Sequence, residues 1–320
     1  MNVLLTGATG FVGSAMVTKL LSDDVSVLAA VRKSLANLPE PVQQIVLGDL
    51  SELKEIQQLS SVFEGVNSVI HVAARVHVML DESSDPLSEF RKVNRDGTLA
   101  LAGMAAKAGV KRFIFISSIK VNGEMTQPDS PFIPNDSLIP EDAYGLSKYE
   151  AEQGLLALAK ETDMEVVIIR PPLVYGPNVK ANFASMMNWM RKSIPLPFGA
   201  IHNKRSLVAL DNLVDFIALC ADREKSPKAA NQVFLISDNE DVSTTQLLQK
   251  VAKAQGKRAW LIPVPVSWMT SVAKLVGKED VANRLFGSLQ VDSSKARNLL
   301  GWKPVTTMDE QLQKMVKAKY

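Results

Sequence analysis

The sequence predicts an α/β chain: a doubly wound parallel sheet with a smaller, mixed C-terminal lobe. Three observations predict it. Short apolar strands alternate with helical segments through the first half of the chain. Most of those strands are apolar nearly throughout, as strands covered by helices on both faces are. The regular beat stops after Arg170-Pro171-Pro172, where Pro and Gly breaks begin.

The elements follow in order. Val3-Leu4-Leu5 is a strand ending in Thr6-Gly7. Phe11, Val12, Ala15, Met16, Leu20 and Leu21 then recur at helical spacing. Val25 to Val31 is the second strand and Gln44 to Gly48 the third. Ser51 to Phe63 has helical spacing, and Ser68 to Ala73 is the fourth strand. A helix from about Leu87 to Ala108 leads to the fifth strand, Arg112 to Ser117. A helix from about Tyr144 to Glu161 precedes the sixth, Glu165 to Arg170. Asn231 to Ser237 reads as a further core strand. One domain is therefore expected at 1–172 plus about 211–237, and a second lobe at about 173–210 plus 238–320.

The 320 residues are 46% hydrophobic and 22% charged, with a net charge of +2. That supplies a core and excludes a disordered chain. The near balance gives no global attraction to nucleic acid. The longest apolar runs are strand length, well short of the ~18–20 residues of a membrane span. A strand follows the first Met with no leader-like pattern, so the cytoplasm is the expected location. The single cysteine, Cys220, lies in an apolar helical stretch and reads as a small buried hydrophobe.

Thr6-Gly7-Ala8-Thr9-Gly10-Phe11-Val12-Gly13 joins the first strand to the first helix. Gly7, Gly10 and Gly13 suit a tight turn, close approach of backbone to a pyrophosphate, and close helix packing. The helix N-terminus adds unpaired N–H groups and partial positive charge. Thr9, Phe11 and Val12 belong to the same loop. A Rossmann-type dinucleotide site is expected here. Sites selective for NAD carry an acid about 20 residues beyond the loop. Here the second strand ends Val31-Arg32-Lys33-Ser34, and Arg32 suits a 2′-phosphate. NADP, as NADPH, is the expected cofactor, with NAD as the alternative. Asp49 and Leu50, after the third strand, are placed at the adenine end.

Tyr144 and Lys148 stand at i and i+4 on one helix face. An ammonium beside the phenol is expected to lower its pKa and poise it for proton transfer. Ser118 follows the fifth strand, where ligands of open α/β sheets sit.

With these segments in hand, the chain resembles the extended short-chain dehydrogenase/reductase family, and within it the NAD(P)-dependent nucleotide-sugar epimerases, dehydratases and 4-ketoreductases. Further segments carry the resemblance: His71-Val72-Ala73-Ala74, Val93 to Thr98, Arg170 to Pro177 and Leu299 to Pro304. It implies that Tyr144 is the acid/base, that Lys148 binds the nicotinamide ribose, and that Ser118 assists. It also implies that Ala73 and Ala74 line the cofactor cleft, with Asn94 beside the site and Arg170 and Pro171 near the nicotinamide. In the C-terminal lobe it implies a UDP- or other nucleotide-sugar site with Asn182, Arg205 and Arg284 as candidates, and a homodimer paired through the first domain. Two departures bear on the sugar. Val121-Asn122-Gly123 stands where Val-Tyr-Gly is common, which makes Asn122 a further substrate candidate, and Leu173 replaces the usual Asn. These, with Ala74 to Met79 and the surroundings of Arg284, look like bacterial reductases that form UDP-N-acetylquinovosamine for surface polysaccharide.

NADPH-dependent reduction of a 4-keto UDP-linked 6-deoxy-N-acetylhexosamine is the expected function. An NAD-dependent UDP-hexose 4-epimerase is the alternative, and a non-catalytic NADP-binding sensor is the alternative of another class. His77 follows the fourth strand and is a candidate for the sugar. His71 reads as a core histidine and His202 as loop surface. The scattered His and Cys residues give no metal spacing. Ser147 lacks a nucleophile-elbow context. Lys314, Lys317 and Lys319 read as a solvated basic tail. Trp189, Trp260, Trp268 and Trp302 are expected to pack in the second lobe. The stripe of Trp268, Val272, Leu275 and Val276 is also expected to be core, a subunit or membrane-surface contact being the alternative.

Overall fold

In the computed structural model, which describes residues 1–35, 38–53, 62–76, 85–127, 129–136, 138–179 and 181–318, the predicted α/β order is present. The first half runs β1 (Asn2–Thr6), α1 (Phe11–Ser22), β2 (Ser26–Val31), β3 (Gln43–Val46), β4 (Ser68–His71), α2 (Pro86–Arg91), α3 (Thr98–Lys107), β5 (Arg112–Ile116), α4 (Ala143–Glu161) and β6 (Glu165–Arg170). The second half runs β7 (Leu173–Tyr175), α5 (Ala181–Arg191), β8 (Arg205–Ala209), α6 (Leu210–Ala221), β9 (Gln232–Leu235), β10 (Asp241–Val242), α7 (Thr244–Ala254), α8 (Val266–Leu275), α9 (Glu279–Phe286), α10 (Ser294–Leu300) and α11 (Met308–Lys317).

The main sheet has the order β3-β2-β1-β4-β5-β6-β9, with every pair parallel. The chain steps outward from β1 in one direction and, from β4 on, in the other. That reversal opens a crevice beyond the carboxyl ends of β1 and β4, where ligands of such sheets bind. A smaller sheet, β10-β8-β7, is mixed: β7 and β8 are parallel, β8 and β10 antiparallel.

Alternation along each strand builds a core on both faces. Val3, Leu5, Ile114, Ile116, Val167 and Ile169 meet α1 and α6 on one side. Leu4, Phe113, Phe115, Val166 and Ile168 meet α3 and α4 on the other. A third core joins Tyr175, Phe183, Leu207, Leu248 and Leu312 in the second half.

The expected helix from Leu87 to Ala108 is interrupted. Lys92–Gly97 forms one wide π turn between α2 and α3. Most of the expected helix at 51–63 lies outside the described residues, as does His77. Lys319 lies outside them too. Among the described residues no helix is long and apolar enough to cross a membrane.

Trp189 packs against the third core as expected, but the other three tryptophans depart from expectation. Trp302 is buried on the main core, its ring 5.0 Å from Phe216 and its Nε1–H donating to Asp215 at 2.9 Å. Trp260 and Trp268 are exposed, and so are Val272, Leu275 and Val276. Periodicity located the apolar stripe correctly, but a period does not say whether anything covers the stripe.

Two buried arginines are paired with carboxylates. Arg112 donates to Glu165 at 2.7 Å, and to the Cys220 carbonyl and Ser226 hydroxyl, each at 2.8 Å. Glu152 of α4 accepts from Arg170 of β6 through Nε at 3.0 Å and Nη2 at 2.5 Å, with both side chains out of solvent. Removing one member of such a pair strands a charge in low dielectric. Glu152→Ala is expected to lower unfolding free energy by about 3–5 kcal/mol in urea titration. Glu152→Leu combined with Arg170→Met should recover most of that loss.

Candidate active site

The phosphate loop lies at the carboxyl end of β1. Gly7 has φ of 72°, a conformation glycine adopts without strain. A Cβ there would lie 2.8 Å from the Ala73 nitrogen, and one on Gly13 would lie 1.9 Å from the Gly7 oxygen. The loop therefore sits directly on the segment after β4. Gly10 is the N-cap of α1 and places no side chain over the first turn. Phe11 and Val12 are half-buried, while Thr9 is exposed. Bare backbone amides around an uncapped helix end fit a dinucleotide diphosphate. Ala73 and Ala74, half-buried, adjoin this loop.

Arg32 follows β2 and Asp49 follows β3, their side chains 3.9 Å apart and well exposed. Asp49 accepts from the Ser51 N–H at 3.0 Å and its hydroxyl at 2.8 Å, which holds its carboxyl below the usual range. Leu50 is buried; the Leu50 carbonyl leaves no room for a Cβ on Gly97, which would come within 2.4 Å.

Tyr144 stands in the first turn of α4. Asp142 caps that helix by accepting from the Gly145 N–H at 3.1 Å, an N-cap of the usual kind. Gly145 lets the turn approach the chain after Ser118, since a Cβ there would lie 3.0 Å from the Lys120 carbonyl. The Ser118 hydroxyl shares a hydrogen bond with Tyr144. Phe90 holds the phenol ring edge-on at 5.8 Å. Ser147 donates to the Tyr144 carbonyl at 2.8 Å and accepts from Asn94 at 3.1 Å. The same Asn94 amide clasps the backbone of Arg75, accepting at 2.9 Å and donating at 3.0 Å. Asn94 thus ties the π turn, the post-β4 segment and α4 together.

Lys148 is buried. Its Nζ donates to the Ile116 carbonyl at 2.9 Å and lies 4.4 Å from the centre of the Phe115 ring. Burial pulls its pKa down to about 7, against the raising effect of Glu152. The expected lowering of Tyr144 by Lys148 is not what the structure shows. Burial pushes the phenol up to about 12, Asp142 pushes the same way, and the Ser118 hydrogen bond opposes both. Desolvation of a would-be phenolate outweighs the single hydrogen bond.

The other candidates fall into two groups. Arg170, expected near the nicotinamide, is buried against Glu152 and also donates to Asn122 at 3.0 Å. Asn122 is buried as well and donates to the Ile133 carbonyl at 2.8 Å. Its amide braces a loop instead of facing a ligand. Pro171 is buried, its carbonyl accepting from Ile119 N–H at 3.0 Å. Arg205 and Arg284 come together: Arg205 Nη1 donates to the carbonyls of Arg284 at 2.9 Å and Gly287 at 3.0 Å, closing the C-terminal end of α9. Asn182 lies in α5. Segment 287–292 links the two groups, because Gln290 O accepts from Phe132 N–H at 2.9 Å and Leu289 pairs with Arg205. Sequence reading missed Phe90, Glu152 and Gly145. Asp142 carried a signal, an Asp just before a helical pattern.

The NAD dependent epimerase/dehydratase family profile matches residues 3–236. A UDP-glucose 4-epimerase of Vibrio cholerae is 49% identical over 319 residues, covering 99% of this chain and 95% of its own. An N-acetyl-alpha-D-glucosaminyl-diphospho-ditrans,octacis-undecaprenol 4-epimerase of Escherichia coli O157:H7 is 26% identical over 287 residues, covering 87% and 82%. A solved UDP-glucose 4-epimerase of Thermotoga maritima superposes with a TM-score of 0.75 at 24% identity, covering 100% and 98%, and supports the fold.

His71 lies beneath the crevice with both ring nitrogens engaged, Nδ1 with Thr6 at 2.7 Å and Nε2 with Thr98 at 2.9 Å. Burial, and then the charge of Lys148, pulls its pKa from 6.5 to about 3. The unfolded chain protonates first as pH falls. Stability from this group is therefore full above pH 6.5 and is lost between 6.5 and about 3. Unfolding at pH 5 should take up close to one extra proton at this residue, a slope of about 1.4 kcal/mol per pH unit. Calorimetry of the wild type against His71→Gln measures it.

Proposed function

This chain belongs to the NAD dependent epimerase/dehydratase family, and on that premise we propose that it is a UDP-hexose 4-epimerase. The observation that carries this reading is the 49% identity with the Vibrio cholerae UDP-glucose 4-epimerase over 99% of the chain. That supports epimerisation over the 4-ketoreductase expected from the sequence.

Gly7, Gly10, Gly13 and the α1 N-terminus hold the cofactor diphosphate, and Arg32, Asp49 and Leu50 lie toward the adenosine. A bound nicotinamide dinucleotide supplies reversible hydride acceptance. NAD suits an enzyme that removes and returns the same hydride, and the family description supports it.

The chain's own part is proton handling. Tyr144 takes the proton of the sugar 4-hydroxyl and returns it to the same oxygen, while inversion comes from the face of C4 on which hydride is returned. Ser118 holds the same oxygen. The Ser118 hydroxyl opposes the burial that raises the phenol's pKa, and Lys148, one helical turn away on the same face, is held by the Ile116 carbonyl. Phe90, Asn94 and Ser147 fix the phenol, so little reorganisation accompanies proton transfer. Arg205, Arg284, Asn182 and His77 are the residues proposed toward the nucleotide sugar.

Arg32 favours the second reading, an NADPH-dependent 4-ketoreductase, because it suits a 2′-phosphate and no acid ends β2. Purified protein separates the two. Interconversion of UDP-glucose and UDP-galactose, with NAD released on denaturation, is expected. NADPH oxidation that depends on a 4-keto sugar, without interconversion, would reverse the choice. Tyr144→Phe should lower kcat by about 10²–10⁴-fold while cofactor binding, read by NAD released on denaturation, persists.

A further inference from the structure

The outward face of α8 is apolar. Trp268 is 70% and Leu275 87% exposed, Val272 and Val276 are exposed beside them, and no residue of α8 is buried. Exposed Ser267, Ser271 and Lys274 border this stripe. A groove of about 440 Å³ runs between α8 and α9, lined by Phe198, Trp268, Val272, Val276, Leu285 and Phe286 among others. The apolar surface continues onto the chain before α8. There Ile262 N–H donates to Leu196 O at 2.8 Å and Leu196 N–H to Trp260 O at 2.9 Å, an extended pairing. Along it Arg258, Trp260 and Ile262 are exposed, and Ala259 and Leu261 between them are half-buried.

The charge around this surface has one sign. Residues 189–200 and 256–278 contain Arg191, Lys192, Lys257, Arg258, Lys274 and Lys278, with no Asp or Glu. All six cations are exposed. The chain as a whole balances 36 basic against 34 acidic residues, so the excess is local. The first acids, Glu279 and Asp280, come only where α9 begins.

We propose that this face docks on an anionic phospholipid bilayer. Exposed Trp at the rim of an apolar helix face, with Lys and Arg around it, matches what the boundary of headgroups and acyl chains favours. A second copy seated on this face would set the same ring of cations against itself, like charge against like. The helix lies on the surface and does not cross it.

Sedimentation with extruded vesicles tests this, using the full chain. Binding is expected with equimolar phosphatidylcholine and phosphatidylglycerol, about tenfold weaker or less with phosphatidylcholine alone, and reduced by salt. Trp268→Ser combined with Leu275→Ser should abolish sedimentation and leave the thermal midpoint and turnover unchanged. Lys274→Ala combined with Lys278→Ala should weaken binding to the anionic vesicles. The proposal is overturned if wild type stays in the supernatant, or if the double Ser variant sediments as wild type does. It is equally overturned if ultracentrifugation finds a dimer that the Ser substitutions break while neither protein binds vesicles.

Discussion

The side-chain amide of Asn94 holds the crevice in register. It makes three hydrogen bonds, two to the backbone of Arg75 and one to Ser147, and Ser147 passes the constraint to the first turn of α4. The π turn at Lys92–Gly97 accompanies this arrangement. Such widened turns recur at functional sites because they re-aim a side chain that a regular helix would carry elsewhere. The amide is buried, and its bonds are made where water competes little. The post-β4 segment, on which the phosphate loop lies, is thereby tied to the helix that carries Tyr144 and Lys148.

Around that tie, the protein manages several buried basic groups. Lys148, His71, Arg112 and Arg170 are all removed from solvent. Each is handled differently. Arg112 and Arg170 are paired with Glu165 and Glu152. His71 is held neutral. Lys148 sits between, with a carbonyl, an aromatic face and the more distant Glu152 as its compensation. A cation so thinly compensated is sensitive to any new charge or dipole beside it.

Some of this was legible in the residues alone. The glycine loop was, because a missing Cβ is a steric requirement written at each position. Tyr144 and Lys148 were, because helical spacing is local. The parallel sheet followed from unbroken apolar strands. The roles of Asn122 and Arg170 were not legible, since their partners come from distant segments and the side chains carry no mark of them. Nor was the environment of Tyr144. The sign of its shift depends on burial, which spacing does not report. The α8 stripe marks the same boundary: its period was plain in the sequence, its exposure was not.

The last strand of the main sheet also shapes how the protein is made. The chain leaves the sheet after β6, builds β7, α5, β8 and α6, and only then returns to lay β9 against β6. During synthesis, β6 therefore emerges as an open edge and stays open until residue 235 has been added. An open apolar edge is a template for pairing with another chain. The interval between β6 and β9 is thus a period in which a nascent chain is exposed to misassembly. Assembly of the intervening segment and closure of the sheet are linked by a continuous backbone.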